Sequence, residues 1–233
     1  MKTLLEIVKQ TLGELSFTVP STVVASNDVL VKQTQWIVQS ACEELLYAHN
    51  WQSLIKHGEL TFTGAESYAL PDDFLRMIED SYLVEGVGGW SYSVNGNTAP
   101  NDFLKISAPG QTTGYTLNFS IRGGRIFTYP LQATGKLKFA YISKSYVFTQ
   151  ELEFKNEFLQ DSDAPMFDGR LVVAMAKAKL LASKGLRNDY AVADYLRILE
   201  AVKATDVPAK SIDISCGTTY ENYQPQITVL GGA

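Results

Sequence analysis

Four carboxylates come closest to a catalytic arrangement. Asp72-Asp73 and Glu79-Asp80 bracket Phe74–Ile78, and paired carboxylates can serve as acid and base in glycoside hydrolysis. The plainer role is structural: Asp72 and Asp73 would stabilise the start of a helical turn after Pro71, with Glu79 and Asp80 on the solvent face of a strand. Glu151, Glu153 and Glu157 read likewise as a solvated face. His49 and His57 flank Trp51 with no Cys or carboxylate at metal-ligand spacing, so a helix-terminal or interfacial imidazole fits better. There is no GxSxG nucleophile elbow. Cys42 falls within a helical pattern as a packed thiol, and Cys42 with Cys216 makes neither a disulfide framework nor a zinc pattern, which suits reduced thiols in a cytosolic protein. Gly86, Gly88 and Gly89 are followed by no Lys-Ser/Thr and no helix start, so they read as a loop and not as a phosphate cradle. No catalytic residue, metal or cofactor is expected, and the chain is not read as an enzyme.

The elements that would carry these residues fall into three blocks. Leu5, Val8, Leu12 and Leu15 form a helical stripe, closed by Pro20. Ser26, Asn27 and Asp28 offer caps for a second helix with the stripe Leu30, Thr34, Ile37, Ala41, Leu45, Ala48. From Gly58 the period changes to two: Glu59 to Thr63, Tyr68 to Leu70, Ile78 to Val84, Trp90 to Val94, Tyr115 to Ile121, Arg125 to Tyr129 and Lys136 to Tyr146 are strand candidates, about six of which would make one antiparallel region. Asn95-Gly96 signals a tight turn and Arg122-Gly123-Gly124 a hairpin; Asn101 could cap a short helix through Ile106. The aromatics Trp90, Tyr92, Phe119, Phe127, Tyr129, Phe139 and Tyr141 alternate, placing most in the core and leaving any others for subunit contacts. Helix then returns, with Pro165 in a first turn. The stripe Leu171, Ala174, Met175, Ala178, Leu181, Ala182 follows, with a stop at Lys184-Gly185 and a last helix on Val192, Leu196, Leu199 and Val202. Residues after Pro208 show no helical period. The expected fold is α+β: N-terminal helices (1–57) and C-terminal helices (149–207) in one bundle, an inserted antiparallel β region (58–148), and an extended C-terminal arm (208–233).

Length and composition permit this. The 233 residues are 45% hydrophobic and 11% aromatic, enough for a substantial core. A formal charge of −5 argues against a dedicated nucleic-acid binder. No window suggests a membrane helix, and Glu6 and Lys9 interrupt the first apolar stretch, so no signal peptide is expected.

Several short motifs carry a family signal. They are Leu45-Leu46-Tyr47-Ala48-His49-Asn50-Trp51-Gln52-Ser53-Leu54, Tyr68-Ala69-Leu70-Pro71-Asp72-Asp73-Phe74-Leu75-Arg76, Ile121-Arg122-Gly123-Gly124-Arg125-Ile126, Phe139-Ala140-Tyr141-Ile142-Ser143-Lys144-Ser145 and Asp161-Ser162-Asp163-Ala164-Pro165-Met166-Phe167-Asp168. In this order they resemble the head-to-tail connector (adaptor) proteins of tailed bacteriophages, those of the tail tubular protein A kind included. The last helix departs from that pattern, being Ala-rich where the family has an aromatic-basic run. The resemblance implies a structural virion protein at the head–tail interface, assembled in the host cytoplasm. It also implies a homo-oligomeric ring, dodecameric in the family, that binds the portal protein on one side and a tail or nozzle protein on the other. DNA would pass its lumen during ejection without specific binding, which suits an acidic chain. In that frame Ala174, Ala178 and Ala182 are a candidate ring-wall face, and Gly86, Gly88, Gly89, Trp90 and Tyr92 a candidate tail-facing loop. Ile212, Ile214, Tyr220, Tyr223, Ile227, Val229 and Leu230 are a candidate docking arm for the portal or a neighbouring subunit, able to add to a sheet edge. The competing expectations are a carbohydrate-binding or carbohydrate-hydrolysing tail module, and another tail-completion or nozzle protein.

Overall fold

The computed structural model describes residues 1–86, 91–108 and 116–206, with the side chains of Ser91 and Tyr92 excepted. Within these residues the chain is mixed α+β, with five helices and three sheets whose strands pair antiparallel at every contact but one. The C-terminal arm and all seven of its candidate docking residues lie outside the described residues.

Helix α1 (Leu4–Glu14) begins at a capping box. Thr3 accepts from the Glu6 amide while the Glu6 carboxylate accepts from the Thr3 amide, which satisfies two of the donors every helix start exposes. Of the three possible caps for α2 (Val29–Ala48), Asp28 is used, its carboxylate accepting from the Leu30 and Val31 amides. The buried face of α2 is Val31, Thr34, Val38, Ala41, Cys42, Leu45 and Leu46, so the apolar period is the expected one turned by about one residue. Helix α4 (Gly169–Ser183) is covered almost all round because it packs on α1, α2 and α5 (Asp189–Thr205). It ends as anticipated at Lys184-Gly185. Gly185 takes φ +65, its amide reaches the Ala182 carbonyl, and the Leu186 amide reaches the Leu181 carbonyl.

Four local expectations need correction. Pro165 is not in a helical first turn. Ala164–Pro165 is a strand paired with Val147–Phe148, and the helix waits for Asp168, whose carboxylate caps it through the Arg170 amide. Asn95-Gly96 is not a tight turn: neither residue takes positive φ, and Asn95 ends a strand, Val94–Asn95, that lies parallel to the strand following the short helix α3 (Pro100–Ile106). That helix is preceded by Ala99, with Pro100 at its first position, so Asn101 is inside it and not its cap. The strand count is also higher than expected. The strands are β1 (Ile55–Thr61), β2 (Ser67–Ala69), β3 (Phe74–Glu85), β4 (Ser91–Tyr92), β5 (Val94–Asn95), β6 (Leu117–Arg122), β7 (Arg125–Tyr129), β8 (Lys136–Ser143), β9 (Val147–Phe148), β10 (Phe154–Lys155) and β11 (Ala164–Pro165). They form sheets of order β1-β8-β3-β4, β2-β7-β6-β5 and β10-β9-β11. The β6–β7 hairpin closes through Gly123 and Gly124, both at positive φ, as the two-residue loop predicts.

Two cores result. One joins the helices with Trp51, Leu54, Ile142, Tyr146 and Phe167; the other fills the space between the two larger sheets around Phe62, Leu117, Phe119, Ile126, Leu137, Phe139 and Tyr141. Strand β3 serves both. Leu75 and Ile78 pack on the helical core, while Phe74, Met77 and Tyr82 pack on the sheet core. It manages this through a wide bulge: Met77 pairs with Tyr141 and Tyr82 with Phe139, so Ile78–Ser81 stand opposite Ala140 alone. Asp80 sits in that bulge at φ +55. Gly58 on β1 faces Phe139, whose ring leaves a Cβ no room (2.5 Å to the nearest ring carbon), so glycine is required there. Among the described residues no helix is long and apolar enough to cross a membrane.

Candidate functional site

Four of the five motifs quoted above converge on one place, the seam between the helices and the sheets. The exposed end of α2 is closed by Arg76 from β3, whose guanidinium donates to the Leu46 carbonyl (2.8 Å), the His49 carbonyl (3.0 Å) and the Asn50 side chain (3.1 Å), with the Tyr47 ring beneath it. Trp51 folds back under the same end. Its indole N–H donates to the Leu45 carbonyl (2.6 Å) and its ring meets His49 and Phe167 edge-on. His49 is indeed helix-terminal, and its Nε2 lies 3.5 Å from Asp206, which also accepts from the Gln52 amide and so draws the end of α5 to the end of α2.

Asp73 holds the other half of the seam. Its carboxylate accepts from Lys56 Nζ (2.7 Å), the Tyr141 hydroxyl (2.8 Å) and the Ser143 hydroxyl (2.8 Å), tying β1, β3 and β8 together. Partial burial pushes its carboxyl up, but these three donors outweigh that and leave it below the ordinary carboxylate value. Burial, then the bond to Asp73, push the Tyr141 phenol up to about 12. A carboxylate so fully engaged is fixed as a charge, not poised to move a proton.

The acidic motif after β10 has one task per residue. The Asp161 carboxylate accepts from the Val23 and Val24 amides and so anchors the connection between α1 and α2. Asp163, buried, accepts from the Leu159 and Gln160 amides, and Asp168 caps α4. Tyr146 and Phe167 stack at 5.9 Å behind them.

The remaining carboxylates are not assembled for hydrolysis. Glu79 and Asp80 are exposed in the β3 bulge and line an open cleft of about 540 Å³ with Arg76, Met77, Tyr82 and Asn97, whereas Asp72 and Asp73 do not line it. Among the described residues no three Cys, His, Asp or Glu side chains gather as metal ligands. Cys42 is fully buried, with its thiol pushed well up by burial. Glu151, Glu153 and Glu157 are exposed, as expected.

The candidate contact faces fare differently. Ala174 and Ala178 are buried within the chain and only Ala182 is exposed, so two of the three expected ring-wall alanines are spent on the subunit's own packing. Gly88, Gly89 and Trp90 lie outside the described residues, as does the Tyr92 side chain; Gly86 directly follows β3. A further exposed face, off the apolar stripe, stands on α2. Val29, Trp36 and Tyr47 are 81, 71 and 69% exposed, and at 100° per residue they fall on one line directly opposite the buried face. Its signal in the sequence was large apolar residues off the core stripe. Another lies on α5, where Val192 and Leu196, expected in the core, are exposed one turn apart, while Tyr195, Ile198, Leu199 and Val202 turn inward. No family model matches the chain, and no match was found among curated proteins.

Proposed function

We propose that this chain is a structural subunit that assembles with copies of itself into a ring, and that the ring is the adaptor joining portal to tail in a tailed-phage virion, where it extends the DNA channel. The observation that carries the reading is the pair of apolar faces that stand exposed among the described residues, Val29/Trp36/Tyr47 on α2 and Val192/Leu196 on α5. Large apolar and aromatic side chains exposed on a helix away from its buried face are what interfaces use. Two different faces on two helices are what a head-to-tail contact requires, and such contacts form rings where the rotation between subunits closes. The motifs that resemble the adaptor family support the reading in a second way: they are spent on joining helices to sheets, the work of a scaffold. In this reading the helices form one bundle in the ring wall, the β region faces the tail, and the arm after Pro208 reaches the portal or the neighbouring subunit.

The experiment is size-exclusion chromatography with light scattering, alone and with portal protein. The wild-type chain should form a discrete multimer, on its own or with portal. Trp36→Asp should remain monomeric with an unchanged circular dichroism spectrum, since Trp36 contributes little to the subunit's own core. A chain that stays monomeric under both conditions overturns the reading. The open cleft with Glu79, Asp80 and Tyr82 favours the carbohydrate module as the second reading, and saturable binding of an oligosaccharide lost in Asp80→Asn would move the assignment there.

A further inference from the structure

The outer face of the β6–β7 hairpin, beside α3, carries an arginine that the fold does not use. Arg122 lies with its guanidinium over the Phe127 ring at 4.3 Å and the Phe103 ring at 5.4 Å. Among the described residues it has no carboxylate within ion-pairing distance and donates no side-chain hydrogen bond. Directly across the ladder stands Arg125, also without a carboxylate, its side chain turned to Ser67. Two like charges facing each other on one sheet face work against the hairpin, and among the described residues no ion pair neutralises either of them. The stack over two rings fixes the plane of the guanidinium and leaves its edge donors free, the geometry that grips a carboxylate in two parallel bonds.

The walls define the rest of the ligand. Arg122 opens onto a cleft of about 370 Å³ lined by Phe103, Leu104, Phe127, Tyr129, Leu131 and Glu66. Leu104 and Leu131 are 60 and 50% exposed at its rim, apolar surface left in water beside the ring stack. Arg122 is the one cation among the residues that line it and Glu66 the one carboxylate, while the Arg125 guanidinium is turned to Ser67 and Lys105 on α3 is paired with Asp102. That arrangement repels a polyanion such as a nucleic-acid backbone, which needs several cations in a row, and accepts one negative charge carried on an apolar body.

We infer that this cleft is a docking site for a peptide segment of a partner chain in which an Asp or Glu carboxylate stands next to large aliphatic side chains: Arg122 takes the carboxylate and Leu104, Phe127 and Leu131 take the aliphatic groups. The site is independent of the ring contacts on α2 and α5.

An NMR titration of the full isotope-labelled chain tests it, with acetylated and amidated Leu-Glu-Leu peptide as probe, Leu-Gln-Leu as its uncharged counterpart and an oligothymidylate as the polyanion. The Glu peptide should shift the Leu104, Arg122 and Phe127 amides saturably, and exchange of Glu for Gln or Arg122→Gln should weaken it about ten-fold, the loss of one charge-assisted contact. Arg122→Lys, which keeps the charge but not the planar fork, should fall between. Leu104→Ser should weaken both peptides alike. Equal affinity for the two peptides, tighter binding of the oligothymidylate, or no saturable shift overturns the proposal.

Discussion

At the scale of single residues, the seam depends on charges that are held and not exchanged. Asp73 is the clearest case, because three donors from β1 and β8 end on its two oxygens. Its folded-state carboxyl lies below the ordinary value of 3.8, so ionised Asp73 stabilises the fold above that value, and the contribution is lost as pH falls through it and below. Asp73→Asn keeps the shape but weakens all three bonds, and should cost roughly 1–3 kcal/mol at neutral pH. The gap between wild type and variant in urea denaturation should be constant down to about pH 4 and narrow as the pH falls further; a gap that stays constant to about pH 2 would show that the charge on Asp73 does not matter. Arg76 is the companion case. Nothing in its local sequence marks it as the group that closes a helix thirty positions earlier, since that partnership exists only once β3 lies against the end of α2.

Elements differ in how far the sequence alone reveals them. Helix ends were legible where a local rule decides them: the Asp28 cap, the Lys184-Gly185 stop and the Gly123-Gly124 hairpin each follow from chemistry within a few residues. Pro165 misled because a proline in a first turn and a proline on a short edge strand look alike, and the choice was made by Asp168 capping α4 three residues later. The β3 bulge was illegible for a different reason: it exists to let one strand serve two cores, a demand no local pattern states. The alanines of α4 carry the expectation of a ring-wall face, but Ala174 and Ala178 are buried inside the chain. Ala178→Leu should therefore lower the stability of the isolated subunit by roughly 1–3 kcal/mol through overpacking, visible as a fall in Tm before any assembly is tested. An unchanged Tm would place Ala178 against open space.

Across the whole molecule, the two cores share β3 and β8, with Ile142 in one core and Phe139 and Tyr141 in the other on a single strand. Neither core can lose its order without unpairing strands the other needs. Denaturation should accordingly be one transition: the fluorescence of Trp51, buried in the helical core, and the amide signals of β6 and β7, in the sheet core, should report the same midpoint. Separate midpoints would show that the seam is a linker and not a shared wall.

The pairing of α1 and α2 with α4 also sets a timetable. The Leu4 amide donates to the Asp163 carbonyl, and the apolar faces of both N-terminal helices are covered by a helix that begins at Gly169. During synthesis those faces emerge first and wait for their cover while more than a hundred residues are added, on the order of ten seconds at roughly 5–20 residues per second. The nascent chain therefore spends that interval with its most hydrophobic surface unpaired, and the β region, whose strands lie closer together in sequence, has the head start in folding.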